Sequence, residues 1–273
     1  MTAASIVTYN VSDEELGQAV ATLLQCDEIV RIDIVDNSRN TSTRNLVLSF
    51  NNPRLNYIPS ENIGYGAANN ISIRKSLADP AIDCHLVLNS DIEFSPAVID
   101  ELKALMDSDR SIALTIPKVL DQRGKEQSSY HPLPSPWDLI VHRFMPRRLF
   151  AKRLERYEIK VDGLSEPVNV PYVHGCFMMM RCEALRKVGV FDERFFMYPE
   201  DIDLTRRLNE HYQTLVVPSL SIVHHHRGQS RKSIRLLLVH IMNMIKYFNK
   251  WGWFGTGQNR HSLRQSNQQF REN

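Results

Sequence analysis

The chain predicts an α/β fold, a mostly parallel sheet flanked by helices, with a C-terminal amphipathic helical tail. Two patterns carry this expectation: short apolar runs alternate with helix-period segments, and polar clusters fall just after the runs. Composition agrees, because 273 residues with 42% hydrophobic and 23% charged side chains suit an enzyme-sized globular chain and exclude collagen-like, mucin-like and acidic low-complexity classes.

Ala3 to Thr8 reads as a short buried strand. Ser12 followed by Glu15 makes a capping box that opens a helix to about Gln25. Glu28 to Val35 is a second strand ending at the turn cluster Asp36-Asn37-Ser38, and Leu55 to Ile58 is a third. The Gly64-Tyr65-Gly66 turn leads into a helix through Leu77, and His85 to Leu88 is a fourth, apolar strand. A helix capped by Ser95, with Pro96 at its first position, follows. From about Asp121 to Pro171 the pattern loosens into a proline-rich excursion containing Pro132, Pro134, Pro136 and Pro146. Regular structure resumes with a strand near Val168 to Val173, helices over about Arg181 to Val188 and Glu200 to His211, and a strand through Leu215 to Val217. In such a sheet the ligand site lies beyond the carboxyl ends of the parallel strands, where the polar clusters fall.

Charge is unevenly distributed. Arg227 to Arg271 contains nine Lys or Arg and no Asp or Glu, so a basic tail follows an acidic body and points to a polyanion, either nucleic acid or an anionic membrane. The tail holds no apolar run long enough to span a bilayer. The first ten residues hold no basic cluster and only the apolar pair Ile6-Val7, unlike a secretory leader, which predicts a cytoplasmic protein. Cys26, Cys84, Cys176 and Cys182 lack the short paired spacings of a zinc ribbon or disulfide framework and read as reduced, buried thiols.

Three constellations carry chemistry. Asn89-Ser90-Asp91-Ile92-Glu93 follows an apolar strand, and acids spaced there suit a hard divalent cation that also takes diphosphate oxygens; an acidic turn of this kind equally caps the next helix. Pro199-Glu200-Asp201-Ile202-Asp203 crowds three acids at a helix start behind an aromatic run, which either caps the helix or buries a carboxylate for proton abstraction. His224-His225-His226 ends a strand, where one imidazole could complete a metal site. A dinucleotide-binding reading of Gly64-Tyr65-Gly66 fails, because Asn69 replaces the third glycine and no glycine-rich turn follows the first strand.

Together with Val7-Thr8-Tyr9-Asn10, Val35-Asp36-Asn37-Ser38, Glu61 to Asn70 and Gly189 to Asp203, these motifs resemble the family 2 inverting glycosyltransferases, most closely their bacterial rhamnosyltransferase branch, over about residues 1 to 230. The resemblance implies a GT-A fold over 1–230, with a nucleotide-sugar half at about 1–120 and an acceptor half at about 121–230, followed by the basic tail 231–273. It implies donor contacts by Thr8, Tyr9, Asp36, Asn62, Gly66, Asn89 and Asp91, with Asp36 on the base and the loop of Asn62 and Gly66 closing over the donor. Mg2+ or Mn2+ is implied at Asp91, alone or with Glu93, because Asn89 stands where many members carry an acid. His225 best matches the histidine near the diphosphate, with His224 or His226 as alternatives. Asp201 matches the catalytic base, and Glu200, His174, His226 and Arg227 are placed as acceptor-side or supporting residues. The implied reaction moves L-rhamnose from dTDP-rhamnose to a glycan acceptor, a lipid-linked oligosaccharide, in cell-surface polysaccharide synthesis. A UDP-hexose donor is the nearest alternative, and a catalytically silent sugar-binding or nucleic-acid-binding protein the alternative of another class. The retained acids argue against silence, and nucleic acid is not the expected partner.

In the tail, Ile234, Leu237, Leu238, Ile241, Ile245 and Phe248 share one helical face, with Arg235, Asn243, Lys246 and Lys250 elsewhere and Trp251, Trp253 and Phe254 at the end. Such a helix suits peripheral contact with an anionic membrane, packing on the body, or a homodimer. A second basic-aromatic patch, His142-Arg143-Phe144 with Arg147, Arg148, Leu149 and Phe150, points toward the membrane.

Overall fold

The computed structural model describes residues 1–38, 41–137, 158–225 and 234–253. The elements run β1 Thr2–Thr8, α1 Asp13–Leu24, β2 Ile29–Asp36, α2 Ser42–Ser49, β3 Leu55–Pro59, α3 Tyr65–Ala78, β4 Cys84–Leu88, β5 Ile92–Glu93, α4 Ala97–Ser108, β6 Ile112–Leu120, β7 Tyr130–His131, β8 Val168–Asn169, β9 Tyr172–Val173, β10 Phe177–Arg181, α5 Cys182–Val188, α6 Glu200–Asn209, β11 Gln213–His224 and α7 Ile234–Trp251. The basic-aromatic patch at His142 to Phe150, together with His226, Arg227 and Phe254, lies outside the described residues, as do the side chains of Ile234 and Arg235.

The main sheet has the order β3-β2-β1-β4-β10-β6-β11-β5, with β8 paired to β11. β1 pairs in parallel with both β2 and β4, so the chain winds outward in two directions from β1. The crevice beyond Thr8 and Leu88 is therefore the topological switch point, where α/β sheets place ligands. β1 and β4 are almost wholly buried, as strands covered by helices on both faces must be. Helix α1 begins as the sequence predicts: Ser12 Oγ accepts from the Glu15 amide at 3.1 Å, with three acids in the first turn.

Several elements differ from the sequence expectation. β10 inserts antiparallel between β4 and β6. Its run Phe-Met-Met-Met-Arg lacks β-branched residues, so it carries little strand signal. α2 and β6 were likewise not expected. In β6, Pro117 interrupts an otherwise strong strand pattern and sits where the register with β11 breaks, opposite Val217. Pro218 follows on the partner strand, and residues 218–220 bulge out before pairing resumes at Ser221. β11 thus continues to His224 instead of stopping at Val217. The predicted Val168 to Val173 strand divides between two sheets, β8 on β11 and β9 on β7. The helix after β5 starts at Ala97 with Pro96 as its cap residue, one position beyond the expected Ser95 cap. All four cysteines are free and buried, as expected.

A polar seam pins α3 to the sheet. Arg31 donates to Ser76 Oγ at 2.7 Å, Ser76 meets His85 Nδ1 at 2.8 Å, and His85 Nε2 meets Ser5 Oγ at 3.0 Å. Ser5 in turn donates to Asn69 Oδ1 at 2.7 Å. Because Ser5 spends its proton on Asn69, His85 must carry its own proton on Nε2 and accept from Ser76 on Nδ1. Burial and the neighbouring Arg31 charge lower this imidazole's pKa to about 3, so it stays neutral.

Helix α7 packs on the body through Met244, Tyr247 and Phe248, which join Leu133, Tyr172, Phe195 and Ile202 in one apolar cluster. Each buried side chain contributes about 1.5–3 kcal/mol. Asp203 of α6 accepts from Trp251 Nε1 at 2.8 Å and pairs with Lys250 at 2.6 Å and Arg207 at 2.9 Å. Arg206 lies 3.9 Å over the Trp251 ring. The expected apolar face is therefore divided: Phe248 is buried, whereas Leu238, Ile241 and Ile245, with Met242, remain exposed. Among the described residues no helix is long and apolar enough to cross a membrane.

Gly64 sits at φ 98, and a Cβ there would collide with the Phe196 backbone carbonyl. Gly64→Ala is expected to destabilise the protein by ~2–4 kcal/mol through the left-handed conformation and the overlap. Urea unfolding checks this; an unchanged midpoint would show that the loop yields at no cost.

Candidate functional site

At the carboxyl end of β1 and β2, Asp36 is buried and fully engaged. Its Oδ1 accepts from Thr8 Oγ1 at 2.9 Å and from the Ser38 amide at 3.0 Å, and its Oδ2 from the Tyr57 hydroxyl at 3.0 Å. Burial and the hydrogen bond to this carboxylate raise the Tyr57 pKa, so the phenol keeps its proton. Tyr9 is exposed beside this cluster, as is Asn62 on the loop before α3. Gly66 is buried instead in the first turn of α3, where a Cβ would stand 3.0 Å from Phe191 Cβ and 3.3 Å from Glu200 Cβ. Its smallness lets α3 pack against the start of α6. Asn70 completes that junction, exchanging hydrogen bonds with the Phe191 backbone at 2.9 and 3.1 Å and donating to Glu193 at 2.9 Å.

Beyond β4, the turn Asn89–Asp91 leads into β5, which pairs antiparallel with the end of β11. That register places His224 opposite Ile92, with His224 Nε2 3.4 Å from Asp91 Oδ1. His225 turns the other way, with Nε2 3.2 Å from Glu93 Oε2 and Nδ1 2.9 Å from Gln122 Nε2. The imidazole that reaches Asp91 is thus His224, while the sequence best matched His225. A cleft of about 260 Å³ lies here, lined by Glu14 and Glu15 of α1 together with Asp91, Glu93, Gln122 and His225; neither Asp36 nor Asp201 lines it. Among the described residues no set of three or more His, Cys, Asp or Glu side chains is arranged to hold a cation by itself. Asp91 and the His225 imidazole both line this cleft, and a carboxylate and an imidazole there fit a divalent cation that takes its remaining ligands from diphosphate oxygens and water.

The third part is the start of α6. Asp201 Oδ2 accepts from the Gly175 amide at 3.1 Å and Oδ1 from the Ile202 amide at 2.8 Å. Gly175 O accepts from the Tyr65 hydroxyl at 2.6 Å, and the same hydroxyl lies 3.0 Å from Asn89 Oδ1. The Asn89 amide donates to Cys176 O at 2.9 Å. A short relay therefore joins Asp201 to the turn carrying Asp91. Burial pushes the Cys176 thiol up to about 12, and the negative charges of Asp91 and Asp201 both add to the shift.

Burial raises both carboxyls of the α6 pair. For Glu200 the neighbouring Asp201 charge adds to it, while backbone hydrogen bonds oppose it in each. Glu200 is 5% exposed, and among the described residues its Oε2 has no hydrogen-bond partner. The ring of His174, the residue before Gly175, lies 5.3 Å from His131 and 5.4 Å from Tyr172 in a cluster of three rings. Sequence reasoning singled out His174 but neither ring neighbour, and it gave no role to Tyr65 or Tyr57. Their partners are 21 to 110 positions away, and no local pattern announces such contacts.

Comparison with known proteins gives a consistent set of likenesses. The family described as Glycosyl transferase family 2 matches residues 4–189. The chain is 30% identical over 239 residues to N-acetylglucosaminyl-diphospho-decaprenol L-rhamnosyltransferase of Mycobacterium tuberculosis (strain CDC 1551 / Oshkosh), covering 80% of this chain and 74% of that protein. It is 25% identical over 236 residues to Rhamnosyltransferase WbbL of Escherichia coli (strain K12), covering 82% and 84% respectively. Among solved structures, that of GalNAc-T7 with UDP, GalNAc and Mn2+ superposes with a TM-score of 0.64 at 15% identity, covering 98% of this chain and 55% of that one. The present chain spans about half the length of that structure, and the likeness is one of fold.

Glu200 and Asp201 hold their protons more tightly in the folded protein than in the unfolded chain. The stability this contributes is full below the unfolded carboxylate values, about 4. It is lost as pH rises through the raised folded values. Glu200→Gln, uncharged throughout, is expected to reduce the fall in urea midpoint over roughly pH 5 to 8. Identical slopes in the two proteins would contradict a raised Glu200.

Proposed function

Because the chain belongs to glycosyl transferase family 2 and is a glycosyltransferase, we propose that it is an inverting, metal-dependent enzyme transferring L-rhamnose from dTDP-rhamnose to a lipid-linked glycan acceptor. The observation that carries this reading is the relay from Asp201 through Gly175 and Tyr65 to Asn89, two residues before Asp91. A proton acceptor tied to the turn that carries a second carboxylate is what a single displacement at an anomeric carbon needs.

Asp201 accepts the proton of the acceptor hydroxyl as that oxygen attacks the anomeric carbon from the face opposite the diphosphate. The new carbon–oxygen bond forms, the bond to diphosphate breaks, and configuration inverts. Burial that raises the Asp201 carboxyl makes its ionised form a stronger base, while the Gly175 and Ile202 amides keep that form accessible and fix its direction. Asp91 with His224 would hold a divalent cation, with Glu93 and His225 alongside, and that cation would neutralise charge growing on the departing diphosphate. The Thr8-Asp36-Tyr57 cluster lines the base end of the donor, with Tyr9 and Asn62 reachable from solvent. His174, partly exposed and backed by the buried rings of His131 and Tyr172, is the member of this cluster that an acceptor sugar would meet.

The acceptor reading draws support from the name of the mycobacterial relative, which specifies a decaprenol-linked substrate. On this chain, Leu238, Ile241, Met242 and Ile245 form an exposed apolar stripe on α7. We assign the stripe to peripheral contact with the cytoplasmic face of an anionic membrane, where a lipid-linked substrate would be met.

Two experiments test these readings. Asp201→Asn keeps the shape of the side chain and loses the base, so turnover is expected to fall by about 10²–10⁴. The thermal shift produced by dTDP-rhamnose with Mn2+ is expected to survive; equal loss of donor binding would argue against the assignment, and a larger shift with a UDP-hexose would reassign the donor. In flotation, the intact chain is expected to rise with anionic vesicles and Ile241→Glu/Ile245→Glu to stay in the soluble fraction. A wild-type protein that stays soluble with and without anionic lipid would count against membrane contact, and a concentration-dependent dimer would give the stripe to a second copy.

A further inference from the structure

The turn that delivers Glu200 and Asp201 leans on α7. Tyr198 lies at φ 54, a left-handed conformation that bulky side chains avoid. Such a conformation persists where its surroundings over-determine it. Here Asn243, 2% exposed, donates Nδ2 to Met197 O at 2.9 Å. Lys246 donates to Asn243 Oδ1 at 3.2 Å, which fixes the orientation of that amide, and to Arg194 O at 2.8 Å. The Tyr198 ring meets His240 edge-on at 5.1 Å. Lys250 closes the arrangement by pairing with Asp192 at 2.9 Å and Asp203 at 2.6 Å, on either side of the turn.

A helix that merely covered apolar surface would have no use for a buried amide facing a backbone carbonyl, since an amide is costly to bury unless its hydrogen bonds are made. The backbone oxygen it meets lies four residues before Asp201. We propose that Asn243, oriented by Lys246, is a positioning residue for glycosyl transfer: by holding Met197 O it fixes the turn that sets the Asp201 carboxylate, making α7 part of the catalytic apparatus. This rests on the reading of Asp201 as the proton acceptor.

The test compares Asn243→Ala, Lys246→Met and Asp201→Asn with the full wild-type chain, using dTDP-rhamnose and Mn2+ as the donor probe and a polyprenyl-diphospho-N-acetylglucosamine acceptor. A misaimed base costs on the order of 10–100-fold in kcat. Asn243→Ala is expected to show that loss with the donor KM within about twofold, and Lys246→Met a smaller loss in the same direction. Backbone amides of 194–202 are expected to exchange at least about tenfold faster in both variants, with those of β1 and β4 unchanged. Asn243→Gln, which keeps a donor and an acceptor, should restore part of the rate. If Asn243→Ala fails to fold, Lys246→Met, altered at an exposed position, carries the same comparison. Unchanged kcat and unchanged exchange in both variants, with Asp201→Asn inactive, would overturn the positioning role while leaving the base in place. Turnover retained by Asp201→Asn would overturn the base and this inference together.

Discussion

The hydroxyl of Tyr65 is the interaction on which the site depends. It bridges Gly175 O and Asn89 Oδ1, so one phenol holds the approach to β10 against the end of β4. Together with the Asn89 backbone amide, which donates to Cys176 O, that bridge ties Asp201, held by the Gly175 amide, to the turn that carries Asp91. Burial keeps the phenol protonated, its pKa raised well above the ordinary tyrosine value, so it remains a donor at any physiological pH. The glycines on either side of Tyr65 serve the same end: Gly64 turns the chain where it touches Phe196, and Gly66 admits the Glu200 side chain.

Much of the fold was legible in the sequence because it is local. Ser12 with Glu15 marks the start of α1, and the buried apolar runs of β1, β2 and β4 need no partner to be recognised. β10 was not legible, since three methionines carry no strand preference and its antiparallel insertion is set by β4 and β6 on either side. The length of β11 was hidden by Pro218, which looks like a strand end but occupies a bulge that lets pairing resume and brings His224 alongside β5. The same split holds in the site. Asp36, Asp91 and Asp201 announce themselves by type and by position after a strand or at a helix start. Which histidine faces Asp91 is decided by the register of β11 on β5, and adjacent residues of a strand point to opposite sides, so a run of three histidines cannot declare it.

Helix α7 shows how an amphipathic pattern can be correct and incomplete. The sequence places Ile241, Ile245 and Phe248 on one face, but the structure turns Met244, Tyr247, Phe248 and Asn243 inward and leaves Leu238, Ile241, Met242 and Ile245 outward. A helix with apolar residues on more than one face can pack on its own body and still present a stripe to something else. The polar residues between the two faces, Lys246 and Lys250, are spent on the segment that precedes α6 and on Asp203 within that helix. The tail's positive charge is thus partly structural.

Glycosyl transfer by this chain requires that the carboxyls of Asp91 and Asp201, more than a hundred positions apart, serve one site. Anomalous diffraction from crystals soaked with Mn2+ and dTDP-rhamnose tests it most directly. An anomalous peak is expected at coordination distance from the Asp91 carboxylate, with the anomeric carbon of the bound sugar facing Asp201. A peak remote from Asp91, or a donor whose anomeric carbon points away from Asp201, would contradict it.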